Sequence, residues 1–106
     1  MIKECGAAAI KYVDLIRSNL RRIKKRTGLY SSPEEYKYAI KELETKCDIK
    51  IPELVKDDLL LDYEYYLKKY ERAKDPEKKE KFLEGMEEAT EKFVDWIERY
   101  LRERCL

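Results

Sequence analysis

The stretch PELVKDDLLLDYEYYLKKYERAKDP, residues 52–76, decides the fold of this chain. It lies between two prolines, each suited to the first position of a helix, and it contains no glycine. Leu60, Tyr63, Leu67 and Tyr70 recur at steps of three and four, which is the spacing along one face of an α-helix. The stretch therefore predicts a helix that begins at Pro52 and continues to about residue 74.

This predicted helix has a second apolar stripe, on the side away from the face that contains Leu60, Tyr63, Leu67 and Tyr70. Leu54, Leu61 and Tyr65 form it, separated by seven and four residues. A second apolar stripe on a helix indicates a second contact. Either the fourth helix or the 47–51 loop covers the stripe within the monomer, or the stripe is a self-association surface. We favour self-association, because a chain this short has limited capacity to bury both faces.

Cap-then-proline signals place two further helices. Asp75 and Pro76 open a helix that runs towards residue 104. Ser32 and Pro33, followed by Glu35, form a capping box that opens a shorter helix ending near Cys47. The first helix runs from about residue 2 to residue 26, and its apolar positions also step by three and four.

Short connections join the four helices, and short connections favour antiparallel neighbours. We therefore predict an all-α fold, an antiparallel up-down-up-down bundle whose second helix is short, in one domain covering residues 1–106. The predicted core consists of Ile16, Leu20, Ile23, Ile40, Leu43, Leu60, Tyr63, Leu67, Phe82, Met86, Phe93 and Ile97.

The composition excludes several classes of protein. Of the 106 residues 44% are charged and 43% are hydrophobic, which is enough apolar material for a core. The chain has no His, so Ser-His and Cys-His dyads, haem His ligands and His-based zinc sites are excluded. The three glycines are isolated, so no phosphate-binding loop is present. No enzyme activity, cofactor, metal or small-molecule substrate is predicted.

No uncharged run approaches the length of about 20 residues that a membrane span needs, and no membrane association is predicted. Gln is absent and Asn occurs once, whereas Lys and Glu are abundant. This bias is typical of hyperthermophile proteins, although helical surfaces favour the same two residues. We expect a cytoplasmic protein from a thermophile.

The three cysteines gain a meaning from the predicted topology. Cys5, Cys47 and Cys105 lie at helix ends that share one pole of the bundle. They are small buried hydrophobes, or Cys5 and Cys105 form a disulfide that ties the termini together, or they hold a metal with a fourth ligand from Asp48 or a second subunit.

The charge is unevenly distributed although the net charge is only +1. Bases concentrate at the end of the first helix, and we call the following six residues the basic cluster: Arg17, Arg21, Arg22, Lys24, Lys25 and Arg26. Bases near a helix C-terminus complement the helix dipole, which explains the cluster without a ligand. The alternative is that the cluster binds the phosphates of nucleic acid. A third interpretation is head-to-tail pairing, in which the basic end of one copy contacts the acidic end of another.

These observations predict a non-enzymatic interaction protein that self-associates through Leu54, Leu61 and Tyr65, with a homodimer as the favoured oligomer. The alternative function is a nucleic-acid-binding module that uses the basic cluster.

Overall fold

The computed structural model describes the backbone of residues 2–105 and the side chains of residues 5–103. It is 85% helical, with four helices and no strand in the part that it describes. Helix α1 covers residues 2–25 and contains a π-helical turn at Ala9–Val13. Helix α2 is Pro33–Cys47. Helix α3 covers residues 53–72, with a second π-helical turn at Asp58–Asp62, and α4 is Pro76–Cys105.

The helix ends follow the local chemistry of the sequence. The Ser32 Oγ accepts a hydrogen bond from the Glu35 N–H at 3.2 Å, which confirms the N-cap of α2. The Asp75 Oδ1 accepts from the Glu77 N–H at 3.2 Å at the start of α4. Helix α1 ends at Lys25, the left-handed backbone of the following Arg26 (φ 58°) turns the chain out of the helix, and Gly28 (φ 90°) continues the turn.

The helices enclose a core that extends along a molecule of 48 × 24 × 21 Å. Helix α1 packs against α2 and α4, and α3 packs mainly against α4. Ile51, which precedes α3, is fully buried in the same core. The sequence prediction of an all-α fold with four helices and a short second helix is confirmed.

Ten of the twelve predicted core residues are buried, and Leu60 and Phe82 are the two that are not. Leu59 is fully buried where Leu60 was predicted, because Leu59 and Leu60 lie in the π-helical turn of α3. A π-helical turn holds one more residue than an α-helical turn, so it rotates the residues after it relative to those before it. Next to Phe82, Leu83 is the buried residue of α4.

Candidate self-association site

The apolar stripe of α3 is exposed to solvent in the monomer. Leu54 is 79% exposed, Leu61 is 59% exposed and Tyr65 is 54% exposed. Neither α4 nor the 47–51 loop covers them, so the interpretation that the monomer buries this stripe is wrong. Three large apolar side chains thus remain uncovered on one helix within the part of the chain that the structure describes.

The opposite face of α3 fixes this orientation. Leu59, Tyr63 and Leu67 are buried against the rest of the molecule. The Tyr66 ring lies over Gly85 of α4, so closely that a Cβ at position 85 would come within 2.6 Å of the ring. Glycine therefore permits a close approach of the two helices that no other residue would allow. With this face held against α4, the stripe faces away from the molecule.

A buried polar network centred on Asn19 joins α3 to α1 and α2. Asn19 Nδ2 donates to the hydroxyls of Tyr36 at 2.7 Å and Tyr63 at 2.9 Å. Asn19 is fully buried, as are both tyrosines. Hydrogen bonds of this kind demand a particular geometry, so they fix the relative position of the three helices more narrowly than apolar contacts do.

The network extends to α4 and to the loop before α2. The Tyr36 hydroxyl and the Thr90 Oγ1 are hydrogen bonded at 2.9 Å, and Tyr63 donates to the carbonyl oxygen of Ser31 at 2.7 Å. The Ser31 N–H donates to the Asn19 Oδ1, again at 2.7 Å. Every helix contributes a side chain, and the hydrogen bonds among these five residues give each of the buried side-chain groups of Asn19, Tyr36, Tyr63 and Thr90 a partner.

Sequence reasoning missed this network, although a signal for it exists. Asn19 is the only Asn in a chain without Gln or His, and it lies between the apolar residues Ile16 and Leu20 on the buried face of α1. A lone amide on a buried helix face requires hydrogen-bond partners. Tyrosines on the apolar faces of other helices are suitable partners, and Tyr36 and Tyr63 occupy such positions.

The two network tyrosines predict a loss of stability at alkaline pH. Burial raises the pKa of Tyr36 from 10.0 to about 12, and burial together with the neighbouring Tyr36 raises the pKa of Tyr63. Between about pH 10 and pH 12 the folded state therefore binds more protons than the unfolded state. The contribution of the two protonated phenols to stability is fully present below about pH 10. It is lost as the pH rises towards about 12, and the loss at Tyr36 amounts to about 2–3 kcal/mol.

Denaturant unfolding at several pH values checks this expectation, with far-UV circular dichroism as the probe. The Tyr36→Phe variant is the control, because its stability should depend less steeply on pH above about 10. Equal slopes for the wild-type protein and the variant would contradict the assigned burial of the Tyr36 hydroxyl.

The basic cluster is partly neutralised by carboxylates of α4. Its members Arg17 and Lys24 pair with Glu98 at 3.0 Å and Glu91 at 2.8 Å, respectively. Arg26 of the same cluster pairs with two further acidic side chains of that helix, Glu80 and Glu87. The hydrogen bond from Arg26 also lowers the pKa of Glu80. Three of the six bases thus take part in α1–α4 ion pairs.

The other three bases of the cluster, Arg21, Arg22 and Lys25, have different surroundings. Arg22 donates to the Asn19 Oδ1 and the Ser31 Oγ, both at 3.1 Å, and so belongs to the edge of the polar network. Arg21 and Lys25 are exposed. A phosphate-binding end requires several clustered bases that are available to a ligand. The ion pairs with α4 leave few, so the geometry does not favour the nucleic-acid alternative.

The structure contains a disulfide, but not the candidate bond between Cys5 and Cys105. Cys5 is joined to Cys47, which links the start of α1 to the end of α2. A cysteine forms one disulfide, so the pairing of Cys5 with Cys105 is wrong in this structure. The side chain of Cys105 lies outside the described residues. No group of three metal-ligating side chains comes together among the residues that are described.

The surface also has two grooves. The larger, of about 700 Å³, lies between residues 28–35 and α3, and its lining mixes Arg22 and Lys68 with four glutamates. The smaller, of about 380 Å³, lies between α1 and α4 beside Ile10. Neither brings together a set of groups that matches one ligand chemistry, so the α3 stripe is the better candidate.

No protein-family model matches the chain, and neither a curated protein nor a solved structure with significant similarity was found. Among the helices of residues 2–105, none is both long and apolar enough to cross a membrane. The function therefore has to be inferred from the exposed surface and the contacts that orient it.

Proposed function

We propose that this chain is a non-enzymatic interaction protein that forms a homodimer through the apolar stripe of α3. The exposure of Leu54, Leu61 and Tyr65 carries the proposal. Fully burying a Leu side chain contributes about 1.5–3 kcal/mol, so covering two leucines and a tyrosine provides a substantial driving force for association.

The surroundings of the stripe support a protein partner. The rest of the surface is dominated by charged residues, which make up 44% of the chain. An apolar centre with a polar rim is the usual anatomy of a protein interface. A second copy of the chain is such a partner, and it is present wherever the protein is.

We also propose that the four helices run up-down-up-down, which would set α3 with its stripe along one side of the bundle. The order of contacts supports this arrangement, because rising positions on α1 meet falling positions on α2 and α4. The pairs with α2 are Cys5–Cys47, Tyr12–Glu42 and Asn19–Tyr36, and those with α4 are Arg17–Glu98 and Lys24–Glu91.

Substitution of Leu61 by aspartate tests the proposed function. A charge at the centre of the stripe should weaken dimerisation by at least about 100-fold, because a desolvated, unpaired carboxylate is strongly unfavourable in an interface. Size-exclusion chromatography with light scattering measures the mass across a concentration series. We expect the wild-type protein to approach the dimer mass and Leu61→Asp to remain monomeric.

Leu29→Asp is the matched control, since Leu29 is 78% exposed but lies in the loop after α1. This variant should dimerise like the wild-type protein. A Leu61→Asp protein that dimerises as strongly as the Leu29→Asp control would refute association through the stripe.

A further inference from the structure

The outer face of α3 carries an ordered series of chemical groups. Asp57, Leu61, Tyr65 and Lys69 follow one another at intervals of four residues, and all four are exposed. The face thus begins with an acid, continues with two large apolar side chains and ends with a base. Beside this row, Asp58 adds a second acid near the start and Lys68 adds a second base near the end.

Along the sequence these groups are spaced symmetrically about position 63, with the π-helical turn at Asp58–Asp62 on one side of it. Asp57 and Lys69 lie at equal distances before and after it, and so do Asp58 and Lys68. Leu61 and Tyr65 form the inner pair. An antiparallel copy of the same helix, related by a two-fold axis beside position 63, would therefore place Asp57 and Asp58 near the bases Lys69 and Lys68, and Leu61 near Tyr65.

We propose that two copies of the chain pair through α3 in this antiparallel, two-fold symmetric way, which rests on the proposed self-association and specifies its geometry. Asp57 and Asp58 of each copy meet Lys69 and Lys68 of the other, around a centre formed by Leu61 and Tyr65. Such an interface is isologous and closes after two copies. A parallel pair would instead bring acid to acid and base to base, which is unfavourable.

The charges of the monomer are compatible with this pairing. Within the described residues neither the exposed Asp57 nor the half-buried Asp58 forms an ion pair, so neither carboxylate is already paired with a base. Lys69 lies 5.6 Å from the centroid of the Tyr65 ring, which keeps its ammonium beside the apolar centre. Lys68 already pairs with Glu64 at 3.2 Å on the surface, and Asp58 of the second copy would join that pair.

Charge reversal on the full chain tests the geometry. One variant carries Asp57→Lys and Asp58→Lys, a second carries Lys68→Asp and Lys69→Asp, and a third carries all four substitutions. Each of the first two places like charges opposite each other and should weaken dimerisation about tenfold or more. The third restores opposite charges across the interface, so its dimerisation should return to within about threefold of the wild-type value.

Sedimentation equilibrium at low salt measures the dissociation constants, and thermal unfolding verifies that each variant is folded. An exchange of the exposed Glu88–Lys92 pair on α4 is the control and should change nothing. Three charge variants that dimerise like the wild-type protein, while Leu61→Asp is monomeric, would overturn the antiparallel geometry but leave the proposed function standing. The antiparallel geometry would also be overturned if the variant with all four substitutions dimerised as weakly as the variants with two.

Discussion

Replacement of Asn19 by alanine is expected to lower the free energy of unfolding by about 3–5 kcal/mol. The substitution removes the donor to the Tyr36 and Tyr63 hydroxyls and the acceptor for the Ser31 N–H. The buried Ser31 N–H would be left without its side-chain acceptor, and an unsatisfied buried donor alone costs about 1–3 kcal/mol. The lost hydrogen bonds to the two phenols and a small cavity account for the rest.

Urea unfolding followed by circular dichroism measures this change. Ser18→Ala is the matched control, because Ser18 is the preceding residue of α1 and its Oγ accepts a hydrogen bond from the exposed Arg21 at the surface. It should change stability by no more than about 0.5 kcal/mol. Tyr63→Phe, which removes one hydroxyl from the same network, should cost less than Asn19→Ala. A loss below about 1 kcal/mol for Asn19→Ala would contradict its central place in the network.

Removal of the Cys5–Cys47 disulfide by a double substitution to serine is expected to cost about 4 kcal/mol. The bond joins residues 42 positions apart, and in the chain-entropy model a closed loop of this length restricts the unfolded chain by about that amount. The bond also holds the start of α1 beside the end of α2. The variant should therefore lose stability without losing the fold.

Denaturant unfolding of the wild-type protein, with and without a reducing agent, provides the comparison. Reduction should lower the stability of the wild-type protein to that of the serine variant, and the variant itself should not respond to reduction. Peptide mapping by mass spectrometry under non-reducing conditions should recover a peptide that links Cys5 to Cys47. A peptide that links Cys5 to Cys105 instead would contradict the bond in the structure.

The helices were predictable because their signals are local. Ser32, Pro33 and Glu35 define the start of α2 through contacts within one turn, and the periodic apolar residues define the buried faces. The steps of seven and four residues likewise predict that Leu54, Leu61 and Tyr65 lie apart from the buried face of α3, but they do not predict that the monomer leaves all three exposed. Such inferences need only the geometry of a single helix.

What the sequence did not reveal depends on contacts between helices. The π-helical turn at Asp58–Asp62 changes which leucine is buried, and nothing in the sequence of three consecutive leucines distinguishes Leu59 from Leu60. The candidate disulfide had the wrong partner for Cys5, because three helix ends share the predicted pole and topology alone does not choose between Cys47 and Cys105. The ion pairs of Arg17 and Lys24 with α4 were likewise not predictable, because they depend on how α1 and α4 are oriented about their own axes.

The most direct test of self-association is sedimentation equilibrium of the unmodified chain, from low micromolar to about 100 µM at physiological salt. Association through α3 predicts a mass that rises with concentration and levels off at twice the mass of one chain, because a two-fold interface closes after two copies. A mass equal to that of one chain at every concentration would contradict the central claim, and a mass that keeps rising beyond the dimer would contradict a closed pair.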